Sequence, residues 1–79
     1  MEMSKDATLL YNHVKKHYQP ELDSISRGIT IDTLHISRIV RKAYIECLEN
    51  HTIAKKYNNV CCRDVCRVLF SEIIEGLER

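Results

Sequence analysis

The sequence predicts an all-α chain of three helices, short, long and short, folded as one domain. Apolar residues recur at spacings of three and four in three separate stretches. The middle stretch, Thr30 to Tyr57, holds neither Gly nor Pro. Between the stretches lies turn chemistry, with Pro20 and Gly28 before the middle one and Asn58 and Asn59 after it. At 79 residues the chain is close to the smallest size at which one hydrophobic core folds unaided, so a single domain over 1–79, with its core about 6–78, is the ceiling.

The first helix is read over Asp6 to Tyr18, with Ala7, Leu10, Val14 and Tyr18 on one face. Ser4 or Asp6 is its expected cap, and Pro20 is expected to stop it near Tyr18. Gln19 to Ile29 reads as a connection pinned by Ile25 and Ile29. The long helix follows, with Thr30 as the expected N-cap and Asp32 in its first turn. Lys55 and Lys56 fall in its last turn, where cations suit the helix dipole. Val60 to Cys62 reads as a brief β-prone loop, and from Arg63 a third helix buries Val65, Val68, Leu69, Ile73 and Leu77.

As one helix, Thr30 to Tyr57 would be about 40 Å long at the α-helical rise, too long for so small a core. Ile36, Ile39, Val40, Ala43, Tyr44, Cys47 and Ala54 share one broad apolar face, with Leu48 at its edge. Ile31, Leu34, Ile45 and Ile53 make a second, thinner stripe among Arg38, Arg41, Lys42, Glu46 and Glu49. Two short neighbours cannot cover both sides, so part of the cover is expected from another chain. The charged groups of this helix are expected to pair with one another at helical spacing.

Formal net charge is only +1, so a grip on nucleic acid needs local clusters of cations. The sequence opens with no charged segment leading into an apolar one, and no apolar run reaches membrane-spanning length. The expectation is an intracellular chain with reduced cysteines and no membrane partner. Cys61, Cys62 and Cys66 with His13 and His17 raise the question of zinc. No C-x-x-C knuckle is present, however, and adjacent cysteines in a β-like loop point to opposite sides. Neither a metal nor any other cofactor is expected. His35 and His51 lie about four turns apart on one helix, too far to act together, and three short helices leave little room for a cleft, so no enzyme activity is expected.

Helix, loop, long helix, β-like loop, helix is the order of a histone fold, and the chain resembles histone-fold proteins from about Ala7 to Leu77. The sharpest likeness is NNVCCRDVCRVL, Asn58 to Leu69. It is similar to the family's second loop and third helix: Val60 matches the apolar residue of the loop strand, Asp64 the acid, and Val65, Val68 and Leu69 the core face. Ile36, Val40, Tyr44 and Leu48 fall on apolar positions of the family's central helix. Two positions depart from the pattern. Tyr57 stands where the family has an arginine, and Asn58 and Asn59 stand at its Lys-Thr phosphate contact, which argues against nucleosome-like wrapping. In its small size, and in the run KKHYQPEL from Lys15 to Leu22, the chain resembles the small kinetochore histone-fold subunits, the centromere proteins W and X.

The resemblance implies a nuclear, chromosomal subunit that forms a heterodimer, or a tetramer of such pairs, with another histone-fold subunit and binds duplex DNA at the centromere and kinetochore. Its expected DNA-binding ridge is Lys15, Lys16, Arg27, Lys55, Lys56, Asn58 and Asn59. Its expected dimer interface is Val40, Ala43, Tyr44, Cys47, Leu48, Val65 and Leu69. Two readings compete: a histone-fold interaction module of a repair or transcription complex with no DNA contact, and a small zinc-binding helical domain.

Overall fold

A computed structural model describes residues 3–28, 32–50, 52–54 and 60–77. Four helices follow in order: α1 (Lys5–His17), α2 (Gln19–Ser26), α3 (Thr33–Glu49) and α4 (Val60–Leu77). The described residues include no strand. The fold is therefore all-α, with four helices in place of the expected three.

Local signals account for α1. Ser4 accepts a hydrogen bond from the Ala7 N–H at 3.2 Å, and Lys15, Lys16 and His17 occupy the last turn. The helix ends as Pro20 predicts, with Tyr18 as its C-cap. The connection expected over Gln19 to Ile29 is instead largely helical. Proline is tolerated in a first turn, where N–H groups have no partner within the helix, so Pro20 opens α2 as well as closing α1. Leu22 and Ile25, three apart, turn α2's apolar side onto the core.

The long helix is the largest correction. Its cap is Asp32 rather than Thr30, with the Asp32 carboxylate accepting the His35 N–H at 3.0 Å. It stops at Glu49, and 52–54 lie outside any helix; Thr30, Ile31, His51 and 55–57 lie outside the described residues. The reason is tertiary. Continued as a helix, the chain would hold Ile53 roughly 100° away from the buried face. Breaking at Asn50 lets Ile53 enter the core, where it is 5% exposed. The break is held by Thr52, whose N–H and hydroxyl both donate to the Cys47 carbonyl at 3.0 Å, and by the Ala54 N–H, which donates to Asp6 at 3.1 Å.

The β-like reading of Val60 to Cys62 is corrected as well, because these residues form the first turn of α4. Cys61, Val65, Leu69 and Ile73 are buried at intervals of four, so starting the helix at Val60 puts Cys61 on the same stripe. Val68, expected in the core, is half-buried.

α1, α3 and α4 each pack against the other two, and α2 lies across α4 and α1. Leu10 and Val14 of α1, Ile36, Val40 and Cys47 of α3, and Val65 and Leu69 of α4 meet along the axis almost completely buried. Each large apolar side chain so buried stabilises the fold by about 1.5–3 kcal/mol. Three helices packed this way leave three seams on the outside.

Candidate interaction surface

Two seams are bridged by a carboxylate. Between α1 and α3, Glu46 Oε1 lies 2.9 Å from His13 Nε2 and accepts the Tyr18 hydroxyl at 2.8 Å. The His13 and His17 rings lie 4.4 Å apart, and Lys42 Nζ stands 5.8 Å from the centre of the Tyr18 ring. The bonds from His13 and Tyr18 hold the Glu46 carboxyl below its usual range. Burial, the Glu46 bond and the charges of Glu46 and Glu21 push the Tyr18 phenol up to about 12. Between α1 and α4, Glu72 accepts the Tyr11 hydroxyl at 2.7 and 2.8 Å, and Lys15 Nζ comes within 4.0 Å of it. Burial and Glu72 likewise push the Tyr11 phenol up to about 12.

The α3–α4 seam is different. Ser37, Arg41, Tyr44 and Ile45 from α3 and Cys62, Arg63 and Cys66 from α4 line a groove of about 700 Å³. A smaller apolar recess of about 210 Å³ adjoins it, lined by Thr33, Ile36, Ser37, Cys66, Arg67 and Phe70. Among the described residues, neither lining includes a carboxylate. Arg41, Arg63 and Arg67 are exposed and form no ion pair with a described residue. Ile45 is 49% exposed, Leu34 on the same face of α3 is 60% exposed, and Val60 at the start of α4 is 50% exposed.

Thiols form part of the groove wall. Burial, then the neighbouring Cys61 and Cys66 thiols, push Cys62 up to about 12, with Arg41 pulling the other way. Burial raises Cys66 too, against a bond with Ser37. At neutral pH both therefore stay protonated, the form that is a poor nucleophile. His13 and His17 lie on a different seam, and among the described residues no group of three or more His, Cys, Asp or Glu side chains is placed to hold a metal ion. No helix among the described residues is long and apolar enough to cross a membrane.

The expected DNA-binding residues are spread apart. Lys15 is half-buried and engaged by Glu72 and the Tyr11 ring, while Lys16 at the end of α1 and Arg27 at the end of α2 are exposed. Lys55, Lys56, Asn58 and Asn59 lie outside the described residues. The expected interface residues Val40, Ala43, Tyr44, Cys47, Val65 and Leu69 are buried within the single chain, and Leu48 is half-buried against the same core. Pairing of Arg38, Arg41 and Lys42 with Glu46 and Glu49 does not form among the described residues, because Glu46 is taken by His13 and Tyr18. Arg63 and Arg67 were not singled out by the sequence reading. Their signal is the i, i+4 spacing of Arg63 and Arg67 on the third helix, with Cys62–Cys66 running parallel once the helix starts at Val60. Compared with family models, with curated proteins and with solved structures, the chain has no match.

Proposed function

We propose that this chain is a non-catalytic subunit that works by pairing with another histone-fold chain, and that the pair sits on duplex DNA in a chromosomal assembly of the kinetochore type. The observation that carries the reading is the α3–α4 seam. Arginines and apolar groups line it and, among the described residues, no carboxylate does, so it suits an anionic, partly apolar partner. Burial raises Cys62 and Cys66 above the ordinary thiol range, which favours a binding role over nucleophilic chemistry. DNA contact is favoured by the exposed cations outside the groove, Lys16, Arg27, Arg38 and Lys42, none of which forms an ion pair with a described residue.

Two measurements test the reading. The tagged chain recovered from native cells is expected to bring down a histone-fold protein in equal amount; recovery of the chain alone would remove the pairing. The reconstituted pair is expected to bind long duplex DNA without sequence preference. Four phosphate contacts give affinity that falls with a slope of roughly −3 to −4 on a log–log plot against salt. A pair that leaves DNA free at low salt is an interaction module alone.

A further inference from the structure

We propose that the α3–α4 groove is a docking site for an acidic amphipathic helix of a protein partner. The proposal rests on the pairing reading above and names the chemistry of what is paired. Arg41 from α3 and Arg63 from α4 both line the groove, and Arg67, one turn further along α4, lines the adjoining recess. Guanidinium groups bind carboxylates through paired hydrogen bonds, and such bonds are about twice as strong as neutral ones. At the other two seams a glutamate completes the edge; here no described carboxylate does, and the guanidinium groups suit acidic groups of another molecule.

The floor separates a helix from nucleic acid. Tyr44, Ile45, Cys62 and Cys66 present carbon and sulfur, with Phe70 and the exposed Leu34 extending the apolar strip toward the start of α3. Phosphates gain nothing from such a floor, whereas a helix with apolar groups at i, i+3, i+4 and i+7 covers it and sets glutamates along both edges. The groove and its adjoining recess are lined from Thr33 to Ile45 on α3 and from Cys62 to Phe70 on α4, a track of roughly 18 Å, so the middle three turns of a docked helix would fill it. A second copy of this groove would bring arginine against arginine, which disfavours a symmetric pair through this face.

The test uses the whole chain and two synthetic helical peptides of about 18 residues, some 27 Å long. Both carry leucine at i, i+3, i+4 and i+7; one has glutamate flanks and the other lysine flanks. In an amide and side-chain NMR titration the acidic peptide is expected to saturate and to shift Ser37, Arg41, Ile45, Cys62, Arg63 and Cys66. The basic peptide is expected to leave them unmoved. R41E/R63E is expected to weaken the acidic peptide by about tenfold or more, the range of a charged hydrogen bond, and to accept the basic peptide instead. Ile45→Ser, at an exposed position, is expected to weaken binding without altering the charge preference.

Equal binding of both peptides, or shifts confined to the α1 seams, overturns the proposal. So does a 20-base-pair duplex that shifts the groove residues when the acidic peptide does not, which makes the groove a nucleic-acid face, or self-association abolished by R41E/R63E, which makes it a homodimer contact. Recovery of an equal amount of partner from native cells by wild type and R41E/R63E removes the groove but leaves pairing in place. Recovery of no partner by the wild type removes pairing, while the peptide titration still decides the groove.

Discussion

Along the α1–α3 seam Glu46 gathers His13 and Tyr18, and along the α1–α4 seam Glu72 gathers Tyr11 and Lys15. Along the α3–α4 seam arginines come from both helices, and no described carboxylate lines the groove. The apolar core beneath all three is shared, so the contrast lies in the edges. A small chain can close each edge with its own polar groups or leave one for a partner, and here the open edge lies opposite α1. If this contrast is a division of labour, substitutions should separate cleanly: the core should carry stability, the α1 seams a modest share of it, and the arginine seam almost none.

The largest effect is expected at the axis. Leu69 is 2% exposed and touches the common core, so Leu69→Ala should cost about 2–5 kcal/mol, read as a lowered urea midpoint at unchanged slope. The wild-type midpoint should not depend on protein concentration, because the chain itself covers Val40, Ala43, Tyr44, Cys47, Val65 and Leu69. A midpoint that rises with concentration means that another chain contributes to that cover.

The α1 seams come next. Glu46→Gln weakens its bonds to both His13 and Tyr18, and about 1–2 kcal/mol should be lost. Lys15→Ala should cost under about 1 kcal/mol, because its pairing with Glu72 is long and partly exposed. Reversal of that order would mean that Glu46 does not hold its seam.

The same seams set the response to pH. The Glu46 carboxyl is held below its usual 4.5, so its contribution is complete above that value and is lost as pH falls through the lower, folded value. Tyr11 and Tyr18 are raised from 10.0 to about 12, so their contribution is complete below 10 and is lost as pH climbs toward 12. Stability should therefore be flat from about pH 5 to 10 on account of these groups. The Cys62 thiol, raised from 9.0 to about 12, adds a loss of its own from pH 9 upward, so in the Y11F/Y18F double variant the alkaline fall should be reduced but not abolished. If the fall persists unchanged, the tyrosines are not its cause.

What could be read in the sequence was local. The spacing of Ala7, Leu10 and Val14, the stop at Pro20, and the buried face Ile36, Ile39, Val40, Ala43, Tyr44 and Cys47 all follow from neighbours within a turn or two. What could not be read depends on distant partners. Nothing near Asn50 forces the helix to end; the burial of Ile53 and the bond from Ala54 to Asp6, 48 residues away, decide it. The seams are equally non-local, since Tyr18 reaches Glu46 across 28 positions and Tyr11 reaches Glu72 across 61. Arg41 was visible as a surface cation, expected with Arg38 and Lys42 to pair with Glu46 and Glu49, but Glu46 bonds instead to His13 and Tyr18. The periodicity of the third helix places Arg63 and Arg67 on its exposed side, but which neighbouring helix that side adjoins depends on the packing of α3 against α4.

The smallest effect on stability is the most informative about the open seam. Arg63 is exposed and forms no ion pair with a described residue, so Arg63→Gln removes no bond seen there and relieves some repulsion from Arg67, one turn away. The urea midpoint should move by no more than the equivalent of about 0.5 kcal/mol, in either direction. A stabilising sign would fit a groove that keeps uncompensated positive charge for a partner. A loss comparable to that of Glu46→Gln would mean that Arg63 is already satisfied within the chain and that all three seams are closed alike.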